Sequence, residues 1–293
     1  MGTSLALLAH SSSGKGRCLD YAHAFSQKAV QSGFSVTIVS KHTPEQSIEA
    51  INSIRKEIDI LVVIGGDGSL HIALQAIANT DLPIYVVPMG TGNDFARTNN
   101  PLSTDIDVIL RRLQNEAPKK IDLGLISDEH NATWFGQVLS TGFDSLVNRR
   151  ANNMSWIKGQ IKYTIATLLE LPKFKPIQYT IKLDGQVIQT RAMLVSVANG
   201  PTYGGGMKIV PDADRSDGLL DVMILKEVSK FELLRVFPKV FSGAHKSHRA
   251  VSFYRTKNFS LEAAALAYAD GEFVGSLPIS GEIRTHSLLT WEQ

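Results

Sequence analysis

The sequence predicts an α/β fold in two domains, a three-layer α/β domain over residues 1–122 and a β-rich antiparallel domain over residues 123–281. The pattern of apolar residues changes near residue 123 of the 293-residue chain, and this change predicts the two domains. In the first part, buried-strand patterns alternate with helical patterns, which is typical of an open, mostly parallel sheet with helices on both faces. These strand patterns lie near residues 4–9, 35–39, 60–64 and 84–87.

From about residue 123, the apolar residues repeat with a period of two. Residues 177–183 alternate apolar and polar side chains, and Asp184-Gly185 then supplies a hairpin turn. Further strand patterns cover residues 192–198, 219–225, 251–254 and 259–261. This alternation predicts antiparallel strands with one face buried.

The most informative stretch is the apolar run Ile60–Ile64, which ends on Gly65-Gly66-Asp67-Gly68-Ser69 and is followed by helical spacing. A strand, a glycine turn and a helix aim free backbone N–H groups and the positive end of a helix dipole at an anion. Because the carboxylate of Asp67 would itself repel a phosphate, we expect it to act through a divalent cation or on the group being phosphorylated. The alternative is a tight turn between a core strand and a core helix.

Two other turns follow predicted strands in the same way. Residues 83–88 run into Gly90-Thr91-Gly92-Asn93-Asp94, where the glycines allow a ligand to approach the backbone. Residues 5–9 lead into a loop, residues 10–16, that lacks the glycine spacing and the Ser or Thr of a Walker A motif. Ser40 follows the second strand. All these positions fall at the carboxyl ends of the strands, where ligands bind in such domains.

Four motifs in this order resemble the catalytic family of diacylglycerol kinases, especially its small soluble bacterial members, a group that includes sphingosine-kinase-like lipid kinases. They are the GGDG turn at Gly65–Gly68, the GTGNDFAR string at Gly90–Arg97, the segment Pro211–Asp221 and the Asp270-Gly271-Glu272 triplet. GGDG alone also occurs in phosphofructokinases and NAD kinases, whereas the four together are specific. The chain departs from the family at His10-Ser11, where Asn-Pro is usual, and at Ser69, where Thr is usual.

The resemblance implies a first domain like that of NAD kinases and phosphofructokinases, and a β-sandwich-like second domain. It implies that the tail, residues 282–293, returns to the first domain and that the functional cleft lies between the domains. The implied activity is that of an ATP-dependent phosphotransferase with an alcohol acceptor, a lipid kinase of phospholipid biosynthesis acting on diacylglycerol or a related lipid. ATP and Mg²⁺ are the implied cofactors. The candidate ATP-binding residues are Ser12, Ser13, Gly14, Ser40, Gly65, Gly66, Asp67, Gly68, Ser69, Thr91 and Asn93.

Three carboxylates, those of Asp67, Asp94 and Asp122, are candidates for organising the reacting magnesium ion. Without the resemblance, Asp122 would be interpreted as a turn residue after a helix. Glu272 is the implied base that accepts the proton of the lipid hydroxyl. Taken alone, it would be a solvated strand residue after an Asp-Gly hairpin turn.

A second, structural metal ion is predicted at Asp214, Asp217 and the carbonyl group of Leu219. Two carboxylates three residues apart, in a loop rich in turn-forming residues, suit a hard cation with oxygen ligands. The competing interpretation is a plain Asp-Gly turn that leads into the strand pattern at 219–225.

Composition limits the other function classes. Lys and Arg number 30 against 28 Asp and Glu, a near-neutral balance that argues against a nucleic-acid partner. The apolar runs are far shorter than the ~20 residues needed to cross a bilayer, and no signal-peptide pattern precedes them. We therefore expect a cytoplasmic protein, peripheral to the inner face of the membrane. The single cysteine, Cys18, excludes an internal disulfide, and a homodimer is left open.

Residues 149–176 are a candidate for membrane contact. Ile157, Ile161, Ile165 and Leu168 form an apolar helical stripe, with basic residues and Trp156 close by. This combination suits the surface of an anionic membrane. A helix packed against the sheet would show the same stripe. Because a lipid substrate must be reached at a bilayer, we expect transient membrane contact here.

Two other functions remain open. The protein could phosphorylate a soluble acceptor such as NAD or a sugar phosphate, although the TIDxD pattern of phosphofructokinases is absent from residues 103–107. It could also be a non-catalytic nucleotide- or lipid-binding homologue. Against this last function, Asp67, Asp94, Asp122 and Glu272 are all present.

Overall fold

The computed structural model describes residues 2–10, 16–98, 103–127, 132–152, 154, 165–166, 168–171 and 174–291. The chain forms two compact units, Met1–Ile121 with His286–Gln293, and Asp122–Thr285. From the sequence we expected the first boundary between residues 122 and 123 and the return of the chain near residue 282. Both boundaries of the units fall inside strands, so no linker composition marks them.

A parallel sheet forms the centre of the first unit. Its strands are β1 (Ser4–Ala9), β2 (Ser35–Val39), β3 (Ile60–Gly65) and β4 (Ile84–Pro88), in the spatial order β2-β1-β3-β4. Every residue of β3 is buried, as expected for a strand covered on both faces. Because the strands are parallel, the residues that follow them all lie at one edge of the sheet.

Helices cover both faces of this sheet, which confirms the predicted three layers. They are α1 (Arg17–Gln31), α2 (Pro44–Ile54), α3 (Asp67–Ile77), α4 (Asp94–Thr98) and α5 (Ile106–Asn115). Side chains of α1 and α5 share one core with β1 and β3, while α2 and α3 pack together. The apolar stripe predicted for α3 is buried, and Cys18 of α1 is a buried free cysteine.

The last residues of the chain complete the first unit. Thr290 pairs with Ile84 in the parallel direction, and its hydroxyl group donates to the Ile84 carbonyl at 3.0 Å. The indole N–H of Trp291 donates to the Glu116 carbonyl at 2.8 Å, and the Trp291 ring lies 5.9 Å from that of Tyr85. The tail is therefore held by both backbone pairing and core packing.

Antiparallel strands build the second unit, as the period of two predicted. Strand β9 (Gln186–Ala198) pairs with β8 (Ile177–Leu183) through its first half. Its second half pairs with β7 (Val138–Gly142) and β10 (Leu220–Lys226). The turn between β8 and β9 has positive φ angles at Asp184 and Gly185, which confirms the predicted hairpin. The other strands are β5 (Lys119–Ser127), β6 (Ala132–Phe135), β11 (Val251–Thr256), β12 (Asn258–Glu262), β13 (Leu266–Ala269), β14 (Glu272–Ser276) and β15 (Ile279–Thr290).

Two apolar cores stabilise the second unit. One lies among the strands and includes Tyr179, Val197 and Phe259. The other covers the opposite side of β9 and β10 with two helices, α6 (Phe143–Asn152) and α7 (Lys230–Val236). Short 3-10 segments at Phe237–Phe241 and Ala244–Ser247 follow α7.

The segment 149–176 is described only in part. Helix α6 ends at Asn152, and Trp156, Ile157 and Ile161 lie outside the described residues. Of the remaining stripe, Ile165 is half-buried and Leu168 is 52% exposed. Within the ranges that the structure describes, no helix combines the length and apolarity needed to cross a bilayer.

Candidate functional site

The predicted ligand-binding edge of the first unit lies where β1 to β4 end. His10 follows β1, and its Nδ1 atom lies 3.3 Å from the carbonyl oxygen of Lys41, just beyond β2. Ser40 is half-buried at the same edge. The predicted phosphate contacts Ser12, Ser13 and Gly14 lie outside the described residues.

The turns after β3 and β4 contact each other through glycine backbones. A Cβ atom on Gly90 would lie 2.4 Å from the Cα of Gly66, and a Cβ on Gly66 would lie 2.9 Å from the Cα of Gly90. At Gly65, a Cβ would lie 2.3 Å from the hydroxyl oxygen of Ser69, so the buried Ser69 side chain folds back over the end of β3. The glycines were expected to let a ligand approach the backbone, and the packing of the two turns against each other also requires them.

Asn93 closes the loop after β4. Its backbone has φ +54°, a conformation that Asn tolerates better than most residues. Its side-chain oxygen accepts from the Gly90 N–H at 2.8 Å, and its amide group donates to the Gly90 carbonyl at 2.9 Å. Because the Asn93 side chain is engaged with Gly90, it shapes the loop, while Thr91 is exposed.

Asp67 and Asp94 are brought together at the start of two helices. The backbone N–H of Asp94 donates to Oδ1 of Asp67 at 2.8 Å. A Cβ atom on Gly92 would lie 2.4 Å from Oδ2 of Asp67 and 3.1 Å from Oδ2 of Asp94, so oxygens of both carboxylates flank Gly92. Asp67 opens α3 and Asp94 opens α4, where the helix dipoles stabilise negative charge. Two adjacent carboxylate oxygens suit a hard divalent cation such as Mg²⁺.

Asp122, the third predicted carboxylate, lies in the second unit and inside β5. The interpretation of Asp122 as a turn residue after a helix is wrong, because its backbone is part of a strand. The side chain is buried, and its Oδ2 accepts from the Gly218 N–H at 2.8 Å. Its backbone N–H donates to the Arg215 carbonyl at 2.7 Å. Asp122 therefore holds the 214–219 loop against β5.

Within this loop, the side chains of the two predicted metal ligands, Asp214 and Asp217, each stabilise a local turn. Oδ1 of Asp214 accepts from the N–H of Ser216 at 2.9 Å, and Oδ1 of Asp217 accepts from the N–H of Leu219 at 3.0 Å. The other oxygen of Asp217 forms an ion pair with Arg255. Among the described residues, no group of three or more His, Cys, Asp or Glu side chains is arranged to hold a metal ion. A cation at Asp214 and Asp217 would therefore need carbonyl oxygens, such as that of Leu219, and waters.

Asp221, at the start of β10, is a third carboxylate near this loop. It is 7% exposed, and its Oδ2 has no hydrogen-bond partner among the described residues. Burial, and then the negative charge of Asp214, raise the pKa of Asp221 to about 6. Arg255 balances part of this negative charge, because its Nε atom lies 3.6 Å from Oδ1 of Asp221 and its guanidinium group also pairs with Asp217. Sequence reasoning missed Asp221, although it belongs to the segment that resembles the family.

The Asp270-Gly271 turn places Glu272 at the exposed start of β14. Both turn residues have positive φ angles, and Ala269 pairs with Glu272 across the turn. The Asp270 carboxylate accepts the three backbone N–H groups of residues 136, 137 and 138 at 2.7, 2.9 and 3.1 Å. Asp270 thus anchors the hairpin that carries Glu272, a role that the sequence alone did not indicate.

Asn199 connects this hairpin with Asp122. Its side-chain amide donates to the carbonyl of Asp122 at 2.9 Å and to that of Gly136 at 3.0 Å. The neighbouring position 200 requires glycine, since a Cβ there would lie 2.0 Å from Oε1 of Gln137. The structure therefore links Asp122, the Asp-Gly-Leu loop and the Asp-Gly-Glu hairpin in one unit. Sequence reasoning missed Asn199, for which the Asn-Gly pair after β9 was the available signal.

A narrow apolar cavity lies within the second unit. Its polar groups are few. Asp144 and Tyr203 form a short hydrogen bond, and Nε2 of His245 lies 2.9 Å from the Ile209 carbonyl oxygen. Burial raises the pKa of Asp144 and lowers that of His245, which favours the neutral form of both side chains. The apolar walls are Phe143, Val147, Leu194, Met207, Ile209, Met223, Leu225, Leu233, Val236, Phe237, Val240 and Val251, with Tyr203.

Comparisons with known proteins agree with both units. Residues 4–126 match the model of the diacylglycerol kinase catalytic domain, and residues 137–290 match the YegS C-terminal NAD kinase beta sandwich-like domain. The chain is 39% identical over 277 residues to a diacylglycerol kinase of Mycobacterium tuberculosis (strain ATCC 25618 / H37Rv), covering 91% of this chain and 87% of the relative. It is 26% identical over 262 residues to a diacylglycerol kinase of Bacillus subtilis (strain 168), covering 86% and 84%.

Solved structures share the fold. A diacylglycerol kinase from Bacillus anthracis str. Sterne has a TM-score of 0.71 at 18% identity, covering 99% of this chain and 97% of that one. An NAD kinase from Archaeoglobus fulgidus, in complex with ATP, has a TM-score of 0.57 at 14% identity, covering 99% and 94%. The predicted fold class, with an NAD-kinase-like first domain and a sandwich-like second domain, is confirmed. The matches across both units and the 39% identity show that the chain belongs to the diacylglycerol kinase catalytic-domain family of kinases.

Proposed function

We propose that this protein is an ATP-dependent lipid kinase, which transfers the γ-phosphate to a hydroxyl group of diacylglycerol or a related lipid. The apolar cavity of the second unit carries the proposal for the acceptor. A nucleotide or sugar acceptor needs many hydrogen-bonding partners, whereas an acyl chain needs a narrow apolar space. The few polar groups of the cavity, Asp144 and Tyr203 among them, suit the ester or hydroxyl groups at the polar end of such a lipid.

On the donor side, the proposal gives ATP to the glycine turns of the first unit. ATP is the ligand of the structurally similar Archaeoglobus NAD kinase. The start of α3 offers N–H groups and a helix dipole to phosphates. The adjacent oxygens of Asp67 and Asp94 would hold Mg²⁺, which neutralises the charge that develops on the phosphates.

The chemistry forms a bond between the acceptor oxygen and the γ-phosphorus and breaks the bond between that phosphorus and the β–γ bridging oxygen. Glu272 takes the proton of the lipid hydroxyl. Its side chain is exposed at the start of β14. Asp270 fixes its position, since it anchors the turn to residues 136–138. Asp122 acts as a positioning residue through the 214–219 loop.

The direct test is a kinase assay with ATP, Mg²⁺ and a panel of acceptors, with Glu272→Gln as the matched inactive control. We expect phosphorylated lipid from the parent protein and at least a hundredfold less from Glu272→Gln. No product from diacylglycerols, monoacylglycerol, sphingoid bases, ceramide, phosphatidylglycerol or polyprenols would refute the lipid acceptor. Phosphorylation of NAD in its place would assign a soluble acceptor.

The cavity is tested by changing its depth. Val147 of α6 is buried at the cavity wall, so Val147→Phe should raise the KM for long-chain diacylglycerols more than for short-chain ones, with kcat/KM for ATP unchanged. An equal effect on all chain lengths, in a variant with the parental Tm, would show that the cavity does not receive the acyl chain.

Loss of the two proposed metal sites should have different effects on activity and on stability. Asp67→Ala removes a carboxylate from the reacting ion, so kcat should fall by roughly a thousandfold or more while the fold persists. Asp217→Ala should instead lower Tm and reduce the increase of Tm with magnesium concentration, because a bound ion stabilises the folded state by mass action. If Asp217→Ala retains a parental, magnesium-dependent Tm, the structural metal site is excluded.

A further inference from the structure

We infer that the outer face of α7 docks this protein on an anionic lipid bilayer. The docking face consists of Phe231, Leu234 and Arg235, with Lys230 and Lys239 beside it. This inference rests on the proposed lipid substrate, and it assigns membrane contact to a part of the second unit that sequence patterns did not indicate.

The first observation is the exposure of two large apolar side chains on one helix. Phe231 is 81% exposed and Leu234 is 39% exposed. Together with Arg235 they have i, i+3 and i+4 spacing and therefore share one side of α7. Among the residues that the structure describes, Phe231 is the most exposed large apolar side chain. A helix with an outward-facing Phe and Leu beside cations has the composition of an interfacial helix.

The opposite side of α7 ties this face to the proposed substrate. Leu233 and Val236 are buried and line the apolar cavity. One short helix therefore forms a wall of the cavity on its inner side and presents Phe231 to solvent on its outer side. A bilayer against the outer face would place lipid acyl chains one helix diameter, about 10 Å, from the cavity.

Charge identifies the occupant as an anionic surface. Residues 226–250 contain six Lys and Arg against two Glu, a net charge of +4, whereas the whole chain has a net charge of +2. The remainder of the chain is therefore net negative. One of the six basic residues, Lys246, forms an ion pair with Asp212 outside this segment. Glu232, the only acidic residue of α7, lies 3.1 Å from Arg249 and 3.3 Å from His248, so its charge is balanced locally. Each Lys or Arg near an anionic leaflet contributes about 1 kcal/mol to membrane binding, which is about a fivefold change in affinity.

The test is vesicle co-sedimentation of the 293-residue chain without ATP. Vesicles of phosphatidylcholine with phosphatidylglycerol should bind the parent, and vesicles of phosphatidylcholine alone should bind it much more weakly. Phe231→Asp should lower the affinity for the anionic vesicles about tenfold or more, and Arg235→Gln about fivefold. Val187→Asp is the matched control, because Val187 is 56% exposed on another element of the same unit and should leave binding unchanged.

The outcomes separate this inference from the proposed function, because vesicle binding is measured without phosphoryl transfer. Equal binding by the parent, Phe231→Asp and Val187→Asp, all with parental Tm, would overturn the docking face even if the protein phosphorylates lipids. Loss of a dimer in sedimentation velocity with Phe231→Asp, and no loss of vesicle binding, would also overturn it, since the face would then join two copies of the chain. If Phe231→Asp alone loses binding to anionic vesicles and the parent phosphorylates none of the lipid acceptors, the docking face is supported and the lipid-kinase activity is rejected.

Discussion

Replacing Asp270 should release the hairpin that carries Glu272 and destabilise the second unit. The Asp270 carboxylate accepts three backbone N–H groups, from Gly136, Gln137 and Val138. Asp270→Ala would leave all three without this acceptor. Asp270→Asn keeps one side-chain oxygen and turns an N–H group toward one of the donors.

The expected magnitude follows from the number and kind of these bonds. A hydrogen bond to a charged group contributes about 1.5–3 kcal/mol, but the three bonds share one carboxylate, and water can reach a half-buried turn. We therefore expect Asp270→Ala to lower the free energy of unfolding of the second unit by about 3–5 kcal/mol, and Asp270→Asn by about half as much. Such a loss is a large part of the ~5–15 kcal/mol typical of a folded domain.

Urea unfolding measures the global loss, and amide hydrogen exchange measures the local one. In the parent, the amides of residues 136–138 should exchange slowly. In Asp270→Ala they should exchange at least a hundredfold faster. Glu272→Gln is the control, because it removes the proposed base without removing any of these bonds, and it should leave unfolding unchanged. Parental protection of the three amides in Asp270→Ala would refute this account of the turn.

Substitutions at three further positions test the loop after β4 and the start of β10. Gly92→Ala would place a methyl group 2.4 Å from Oδ2 of Asp67, so kcat should fall by roughly a hundredfold in steady-state assays; a loss below twofold would show that the carboxylate tolerates displacement. Asn93→Ala removes both side-chain hydrogen bonds to Gly90, so the free energy of unfolding of the first unit should fall by about 1–2 kcal/mol. Asn93→Gly also lacks these bonds but relieves the backbone strain at the positive φ angle, so it should recover only part of the lost stability. Burial raises the pKa of Asp221 from 3.8 to about 6, so its contribution to stability is complete below pH 3.8 and is lost as the pH rises through 6. With a chelator present, Asp221→Asn should therefore gain about 3 kcal/mol over the parent across that interval in urea titrations, and a pH-independent difference would contradict the raised pKa.

Three strands of the parallel sheet, β1, β3 and β4, could be predicted because they are largely buried. Each of them is a nearly continuous apolar run, as expected for a strand covered on both faces. Strand β5 escaped prediction because it begins with Lys119-Lys120 and contains a buried carboxylate, Asp122. Strand β7 escaped for a similar reason, since Ser140 and Thr141 are polar and yet fully buried.

The network of the second unit could not be predicted because its bonds are distant in sequence. The contact of Asn199 with Asp122 spans 77 residues, and that of Asp270 with Gly136 spans 134. In both hydrogen bonds, one partner is a backbone group. Because every residue has such a group, the sequence does not indicate which residue provides it. The cavity is equally non-local, since its walls come from residues 143 to 251 on separate elements. Only after the fold is known do Asp144 and Tyr203 become polar groups in an apolar space.

The GGDG and GTGND motifs are informative as a pair because they form one structural unit. Gly66 and Gly90 touch through their backbones, and Gly92 packs against the carboxylate of Asp67. Neither turn can therefore change its glycines without displacing the other. The N–H of Asp94 completes the connection by donating to Asp67. A tight turn after a buried strand explains either motif alone. It does not explain why the turn after β4 has glycines at the two positions that face the backbone of Gly66 and the carboxylate of Asp67. Their mutual fit gives a physical reason why the two motifs together identify the family better than either motif alone.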